Sequence, residues 1–194
     1  SHLNRKADIG AVYDIQWINS RQNLQQLADG FAQSQVGSLC LYGPPGTGKS
    51  AYVKWLAKQM DKPLLYKKGS DLLSKYVGES EQLIAAAFEE AARDNAVLIF
   101  DEVDSFLMDR RQASQSWEVT QVNEMLTQME LFSGLLICTT NRLGQLDPAS
   151  LRRFAFKIKF DYLTQEQCWQ LFLAQAGPIP SGNEQAYRQA LNRL

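Results

Sequence analysis

Five short apolar runs are spaced along the chain, and each has the length of a β-strand. They cover residues 38–42, 64–66, 96–100, 134–139 and 156–160. Several are continuously apolar rather than alternating between apolar and polar residues. That pattern is typical of strands buried on both faces of a sheet.

Between most of these runs, apolar residues recur every three or four positions, which is the period of an amphipathic helix. Helices are predicted over 49–60, 79–95 and 116–129. A short helix is predicted after Asp147, which would cap it, with Pro148 as its first residue. Strands that alternate with helices of this length indicate an α/β fold, in which a parallel five-stranded sheet carries helices on both faces.

The strand-like runs stop after residue 161, and the remaining chain has only helical patterns. These patterns cover 164–175 and 183–194, with a glycine- and proline-rich loop between them. We therefore predict an α/β domain over 3–161 and the truncated beginning of a helical appendage over 162–194. The first two residues resemble a cloning remnant and are left out of this division.

Composition narrows the class of protein. The chain has 194 residues, 45% of them hydrophobic, which is enough for one sizeable core. A net charge of -1 disfavours nucleic acid as a partner, and no apolar run reaches the roughly 18 residues of a membrane span. The single histidine excludes histidine-based triads and ordinary histidine-ligated zinc sites. The three scattered cysteines are interpreted as small buried hydrophobes in a cytoplasmic protein.

A loop with the sequence GPPGTGKS follows the first strand-like run and precedes a predicted helix that continues with Ala51. The loop consists of Gly43, Pro44, Pro45, Gly46, Thr47, Gly48, Lys49 and Ser50. Its glycines allow successive backbone N–H groups to point inward around phosphate oxygens, and the helix adds its positive dipole end. Lys49 is expected to reach the outer phosphates and Ser50 to bind Mg²⁺. The alternative is a glycine-rich turn that only caps the helix.

Two acidic residues, Asp101 and Glu102, end another apolar run. In a parallel sheet this position lies at the carboxyl edge, where such folds bind ligands. Asp101 suits a Mg²⁺ role through bound water, and Glu102 suits a general base that activates water. The alternative is an acidic strand end that caps the next helix. The neighbouring phosphate loop makes the capping interpretation improbable. Asn141 follows a third strand, where its amide could hold the attacking water or be an ordinary turn residue.

Four motifs follow one another along the chain: GPPGTGKS at 43–50, KYVGESE at 75–81, LIFDEVDSF at 98–106 and CTTNRLGQLDPASLRRF at 138–154. In their order and spacing, over residues 36–161, the chain resembles an AAA ATPase of the AAA+ superfamily of P-loop NTPases. The resemblance implies a nucleotide-binding α/β domain followed by the start of a small helical lid. It also implies ATP and Mg²⁺ as cofactors and assembly into a homo-oligomeric ring, usually a hexamer.

Residue roles follow from the same resemblance. Lys49 and Ser50 would bind phosphate and Mg²⁺, Asp101 and Glu102 would be the metal and catalytic acids, and Asn141 would be the sensor residue.

Arg152 and Arg153 fall where the family has arginine fingers, which reach the ATP of the neighbouring subunit. The family usually has Arg-Pro-Gly-Arg there, whereas the two arginines are adjacent in this chain. Neighbours on a helix point about 100° apart, so both need not reach one phosphate. Arg152 is the preferred finger because it keeps the family's spacing from Asn141. The alternative is that one arginine is structural and pairs with an acid of its own subunit.

Ile18 and Asn19 are candidates for adenine contacts, although the segment before the loop lacks the glycines usual there. Tyr76, Val77 and Gly78 resemble the aromatic–hydrophobic–Gly loop that lines the pore of ring members and grips an extended polypeptide. An aromatic ring and an aliphatic side chain can hold many residue types through apolar contact. The alternative is that Tyr76 is a partly buried loop residue and Gly78 a turn.

The sequence therefore predicts Mg-ATP binding and hydrolysis to ADP and phosphate, used to remodel, unfold or disassemble a protein substrate in a ring. A slow-turnover ATP-dependent switch or scaffold module is one alternative, against which Glu102 argues. A DNA-acting loader is the other, and the near-zero net charge and Tyr76 argue against it.

Overall fold

A computed structural model describes residues 14–74, 76, 78–109, 116–176 and 184–191; for Gln16 and 116–118 it describes the backbone only. Five strands form a single sheet in the order β2-β3-β4-β1-β5, and every neighbouring pair is parallel. The predicted five-stranded parallel sheet is thus confirmed. The strands are β1 Gly37–Tyr42, β2 Leu64–Lys68, β3 Val97–Asp101, β4 Leu135–Thr140 and β5 Phe156–Lys159.

Seven α-helices accompany the sheet within the described ranges: α1 Leu24–Ser34, α2 Lys49–Gln59, α3 Glu79–Arg93, α4 Ser116–Leu131, α5 Pro148–Arg153, α6 Gln165–Ala176 and α7 Glu184–Leu191. The helices predicted between the strands are present, each ending within about two residues of its predicted bound. None of the helices described is both long and apolar enough to cross a membrane.

One helix, α1, was not predicted. It buries Leu24, Ala28 and Phe31, and Leu27 packs against the same core while partly buried. The Asn23 side chain caps it by accepting a hydrogen bond from the backbone N–H of Gln26. The three buried residues stand at i, i+4 and i+7, so the helical period is present in this segment and sequence reasoning missed it.

The central strands β1, β3 and β4 are covered on both faces, as their continuous apolar runs predict. Alternate residues of β3 belong to opposite cores: Leu98 and Phe100 pack on the face covered by α3 and α4, and Val97 and Ile99 pack on the face covered by α1 and α2. All of these side chains are fully excluded from solvent.

Two cysteines lie side by side in the core. Cys40 in β1 and Cys138 in β4 are register partners, and both are fully buried. Burial raises the pKa of the Cys40 thiol to about 12, and it raises that of Cys138 as well. The interpretation as buried hydrophobes is confirmed for these two and is wrong for Cys168, which is only partly buried.

The helices after the sheet make a small apolar cluster of their own. In α6, Trp169 is buried and stacks on Phe172, which also contacts Tyr187 of α7. The Arg188 guanidinium lies 4.4 Å from the centre of the Trp169 ring, and it pairs with Glu166. The helical character predicted for this part of the chain is therefore present in α6 and α7.

The parallel arrangement fixes where chemistry can occur. Strands β3, β4 and β1 are adjacent and point the same way, so Asp101, Thr140 and Tyr42 end at one edge of the sheet. The loops that follow these three residues therefore meet at that edge.

Candidate active site

The loop after β1 requires glycine at its first position. Gly43 has a φ of +141°, and a Cβ atom built there would lie 1.9 Å from the carbonyl oxygen of Phe160. Gly48 caps α2 with a φ of +90°, in the left-handed region that favours glycine. Between them, Pro45 and Gly46 are exposed, and the Thr47 hydroxyl is turned inward to the Pro44 carbonyl at 2.8 Å. The loop thus closes tightly over the N-terminus of α2.

Lys49 is buried inside this loop. Its ammonium nitrogen donates to the carbonyl oxygens of Gly43 at 2.7 Å and Pro44 at 2.8 Å, and to Asn141 Oδ1 at 2.8 Å. Burial lowers the pKa of Lys49, and the nearby carboxylate of Asp101 opposes that effect. All three donors of the ammonium group are therefore occupied by oxygen acceptors, which phosphate oxygens could replace.

Ser50, the next residue of α2, faces the end of β3. Its hydroxyl oxygen lies 3.3 Å and 3.4 Å from the two carboxylate oxygens of Asp101. Asp101 is 9% exposed, so it is accessible only from the mouth of the site. Magnesium prefers hard oxygen ligands and usually keeps several waters beside one or two carboxylates and substrate phosphates. A hydroxyl and a carboxylate at this distance fit that requirement.

Asp101 is held from both neighbouring strands. The Tyr66 hydroxyl of β2 donates to Oδ2, and the Thr139 hydroxyl of β4 donates to Oδ1. Burial and the hydrogen bond to Asp101 raise the pKa of Tyr66, so its phenol keeps its proton at neutral pH.

Glu102 has an unusual backbone conformation. Its φ of +59° and ψ of +52° are left-handed, which is strained for a residue with a side chain. Its N–H donates to Thr139 Oγ1 at 3.0 Å, and its carbonyl accepts from the Ser105 hydroxyl at 3.0 Å. The chain therefore turns sharply after β3 and leaves the Glu102 side chain exposed, with no hydrogen bond to any described residue. Strained backbone of this kind is concentrated at functional sites.

The end of β4 carries a third polar group, Asn141, which accepts the Lys49 hydrogen bond already described. The preceding Thr140 hydroxyl donates to Asp104 Oδ1 at 2.9 Å and accepts from the N–H of Arg142 at 2.9 Å. These bonds fix the turn after β4 against the turn after β3. Lys49, Ser50, Asp101 and Asn141 thus form one connected group.

The two adjacent arginines have different partners. Arg153 pairs with Glu130 of α4, with its Nε 2.9 Å from the carboxylate. Arg152 is exposed, and its Nε donates to the Pro148 carbonyl at 3.2 Å within the same short helix. The pairing of Arg153 matches the alternative that one of the two arginines is structural and pairs with an acid of its own subunit. The assignment of Arg152 as a finger stays a prediction.

The segment of Ile18 and Asn19 lies beside the phosphate loop. Ile18 is buried, and its side chain is 3.9 Å from where a Cβ of Gly48 would be. Its carbonyl accepts from the Gln167 amide of α6 at 3.2 Å, and the Asn19 amide donates to the Tyr162 carbonyl at 2.6 Å. The segment is thus joined to the chain after β5, and its contact with adenine stays a prediction.

Tyr76 is 77% exposed, which argues against the alternative of a partly buried loop residue. Its backbone N–H donates to Ser74 Oγ at 3.2 Å, and the Ser74 N–H donates to the buried Ser80 hydroxyl at 2.9 Å. Gly78 follows with a φ of +83° and begins α3. Ser74 and Tyr76 are therefore held to the first turn of α3, and Lys75 and Val77 lie outside the described residues.

Sequence reasoning missed the groups that orient the acids, namely Tyr66, Thr139 and Thr140. Thr139 and Thr140 stand directly before Asn141, and two hydroxyls at the end of a buried strand were a usable signal. Tyr66 carries no such signal, because its contact depends on the register between β2 and β3.

A family model matches residues 39–162, which are most of the sheet domain; its description is ATPase family associated with various cellular activities (AAA). The chain is also similar to three proteins of known family. It is 36% identical over 174 residues to the 26S proteasome regulatory subunit 6B homolog of Saccharomyces cerevisiae. It is 39% identical over 118 residues to the Cell division cycle protein 48 homolog of Archaeoglobus fulgidus. It is 32% identical over 204 aligned positions to a protein of Bifidobacterium animalis subsp. lactis described as an AAA ATPase forming ring-shaped complexes.

These alignments cover 81%, 58% and 91% of this chain, respectively, but only 40%, 16% and 39% of the relatives. The chain therefore spans less than half the length of each of these relatives.

Proposed function

The chain belongs to the AAA family of ATPases, and on that basis we propose that it binds Mg-ATP in the loop 43–50 and hydrolyses it to ADP and phosphate. One observation carries the proposal. Lys49 Nζ is 2.8 Å from Asn141 Oδ1 while Ser50 Oγ is 3.3 Å from Asp101, so the ends of three strands converge on one small volume.

Binding uses groups that are already in position. Lys49 would exchange the Gly43 and Pro44 carbonyls for phosphate oxygens, which are charged and therefore stronger acceptors. The N-terminus of α2 adds its unpaired N–H groups and its dipole. Ser50 and Asp101 would hold Mg²⁺, which supplies charge neutralisation at the β- and γ-phosphate oxygens.

Hydrolysis needs a base and a positioned water. Glu102 is exposed at the sheet edge, so its carboxylate can accept a proton from a water molecule as that water attacks the γ-phosphorus. The bond from the γ-phosphorus to the bridging oxygen breaks, and ADP leaves with that oxygen. Asn141 is next to Lys49 and can orient the water or contact the γ-phosphate.

The direct test is release of phosphate from ATP by protein that contains this chain, with Mg²⁺ and with an excess of EDTA. We expect turnover only with Mg²⁺. Folded, assembled protein that binds ATP and releases no phosphate would favour the slow-turnover switch instead.

We also propose that the protein works as a homo-oligomeric ring, with six subunits as the expected number and the cytoplasm as the expected location. A ring-forming relative, 32% identical to this chain, supports the ring. The described residues of the site supply no mobile cation to the far side of the γ-phosphate, where charge grows in the transition state. Arg152 of a neighbouring subunit would supply one.

Arg152→Ala is expected to lower turnover by roughly 10³-fold and to leave nucleotide affinity nearly unchanged. Arg153→Ala is the matched control, because Arg153 already pairs with Glu130 at the surface. Its replacement should affect turnover far less. Steady-state phosphate release measures turnover, and nucleotide titration measures affinity, in both variants.

Mixing subunits tests the trans role. Rings made only of Arg152→Ala or only of Glu102→Gln subunits are expected to be nearly inactive, but mixed rings contain interfaces with one intact Glu102 and one intact Arg152. Recovery of activity on mixing is expected. No recovery in demonstrated mixed rings, or full turnover by a confirmed monomer, would contradict the assignment.

The proposed substrate is a polypeptide that is remodelled, unfolded or disassembled in the ring. Tyr76 supports this, because a tyrosine that is 77% exposed and bonded through its carbonyl to the start of α3 can contact a passing chain. The near-zero net charge continues to disfavour nucleic acid.

Tyr76→Ala is expected to preserve basal ATP hydrolysis and to abolish its stimulation by an unfolded polypeptide, because only the substrate contact is lost. Leu131→Ala is the control, since Leu131 is equally prominent at 72% exposure but lies at the end of α4. Turnover with and without a permanently unfolded protein is the measurement. Stimulation that survives the Tyr76 change would make Tyr76 structural.

A further inference from the structure

We propose that Tyr66 is a positioning residue, which holds the Asp101 carboxylate in the orientation that binds Mg²⁺. The inference rests on the proposed function, because it concerns the metal of the same site. It adds a residue of β2, a strand that otherwise contributes nothing to the catalytic group.

Strand register brings Tyr66 to Asp101. In the parallel pair of β2 and β3, Lys68 is opposite Asp101, and Tyr66 is opposite Ile99. Residues two apart along a strand share a face, so Tyr66 and Asp101 are diagonal neighbours on the α2 side of the sheet. A diagonal neighbour is within reach of a long aromatic side chain. The phenol hydroxyl accordingly donates to Asp101 Oδ2.

Both oxygens of the Asp101 carboxylate accept hydrogen bonds from the neighbouring strands. Tyr66 of β2 donates to one oxygen and Thr139 of β4 donates to the other, so rotation of the carboxylate would break a hydrogen bond to a flanking strand. Each carboxylate oxygen has a further lone pair for a metal-bound water.

Ser50 is held less closely than these two residues. Its hydroxyl lies 3.3 Å and 3.4 Å from the carboxylate oxygens, which is long for a hydroxyl donor. Ser50 can therefore turn to a cation without disturbing Asp101. The arrangement separates a fixed carboxylate from a movable hydroxyl, and Tyr66 is one of the two groups that fix the carboxylate.

Tyr66→Phe tests this, because it removes the hydroxyl and keeps the ring. The probe is ATP, titrated into this chain with Mg²⁺ and with EDTA. Mg²⁺ should raise the ATP affinity of the wild type above its value in EDTA. In the variant this increase should be about tenfold smaller, as is usual when a hydrogen-bond partner of a metal-binding group is removed. Affinity in EDTA and the melting temperature should stay unchanged.

Tyr52→Phe is the matched control. It also removes a tyrosine hydroxyl, which here donates to the Leu24 carbonyl at 3.1 Å and lies away from the metal site. The inference would be overturned if Mg²⁺ raised the ATP affinity of Tyr66→Phe as much as that of the wild type. It would also be overturned if Tyr52→Phe lost as much of this Mg²⁺ effect as Tyr66→Phe. Either result would leave the proposed function standing. A folded wild-type chain that binds no nucleotide would instead overturn the proposed function, and the inference with it.

Discussion

Replacement of Lys49 by alanine is expected to abolish measurable ATP binding in a chain that stays folded. The ammonium group is the only cation that contacts the loop carbonyls among the described residues, and phosphate oxygens can replace its present acceptors. Lys49 belongs to neither apolar core, so its loss leaves the packing intact. Calorimetric titration with Mg-ATP measures binding, and circular dichroism measures folding.

Lys54→Ala is the matched control for Lys49, because Lys54 lies on the same helix and is exposed to solvent. It should bind ATP as the wild type does. Near-native affinity in a folded Lys49→Ala protein would show that nucleotide does not bind through this loop.

Glu102→Gln is expected to keep ATP binding and to lose turnover by about 10²- to 10⁴-fold, the usual contribution of a general base. Glutamine keeps the shape of the side chain and the backbone N–H that donates to Thr139, but its amide cannot accept the proton of water. The measurement is phosphate release by assembled protein, together with nucleotide affinity.

Glu90→Gln supplies the control for that change, since Glu90 is a glutamate of α3 that pairs with Lys67 at the surface, outside the active site. Its turnover should match the wild type. If an assembled Glu102→Gln protein still turned over ATP at the wild-type rate, another group would be the base.

Much of the fold could be predicted because strand burial leaves a clear pattern in the sequence. Runs such as 96–100 are apolar at every position, as a strand must be when both of its faces are covered. Helix α1 was missed although its buried side chains, Leu24, Ala28 and Phe31, recur with the helical period. It is also held by α2, where the Tyr52 hydroxyl donates to the Leu24 carbonyl at 3.1 Å, and a contact between separate helices cannot be read from one segment.

The core of the candidate site could also be predicted, because its residues stand in short motifs. Lys49 and Ser50 are adjacent, and Asp101 directly ends a strand. What could not be predicted are the contacts that depend on how separate strands align, such as Tyr66 with Asp101.

The same limit applies to Arg153 and Glu130, which lie 23 positions apart on different helices. The sequence raised the possibility that one arginine is structural but could not name its partner. Spacing along the chain does not determine such pairs; packing of α4 against α5 does.

Nucleotide binding in the loop 43–50 is tested most directly by a crystal structure of the Glu102→Gln protein grown with ATP and Mg²⁺. We expect the triphosphate in the loop 43–50, with Lys49 Nζ moved from the Gly43 and Pro44 carbonyls to phosphate oxygens and Mg²⁺ between Ser50 and the phosphates. An empty loop at saturating ATP, or nucleotide bound elsewhere on the folded chain, would contradict the binding of Mg-ATP by this loop.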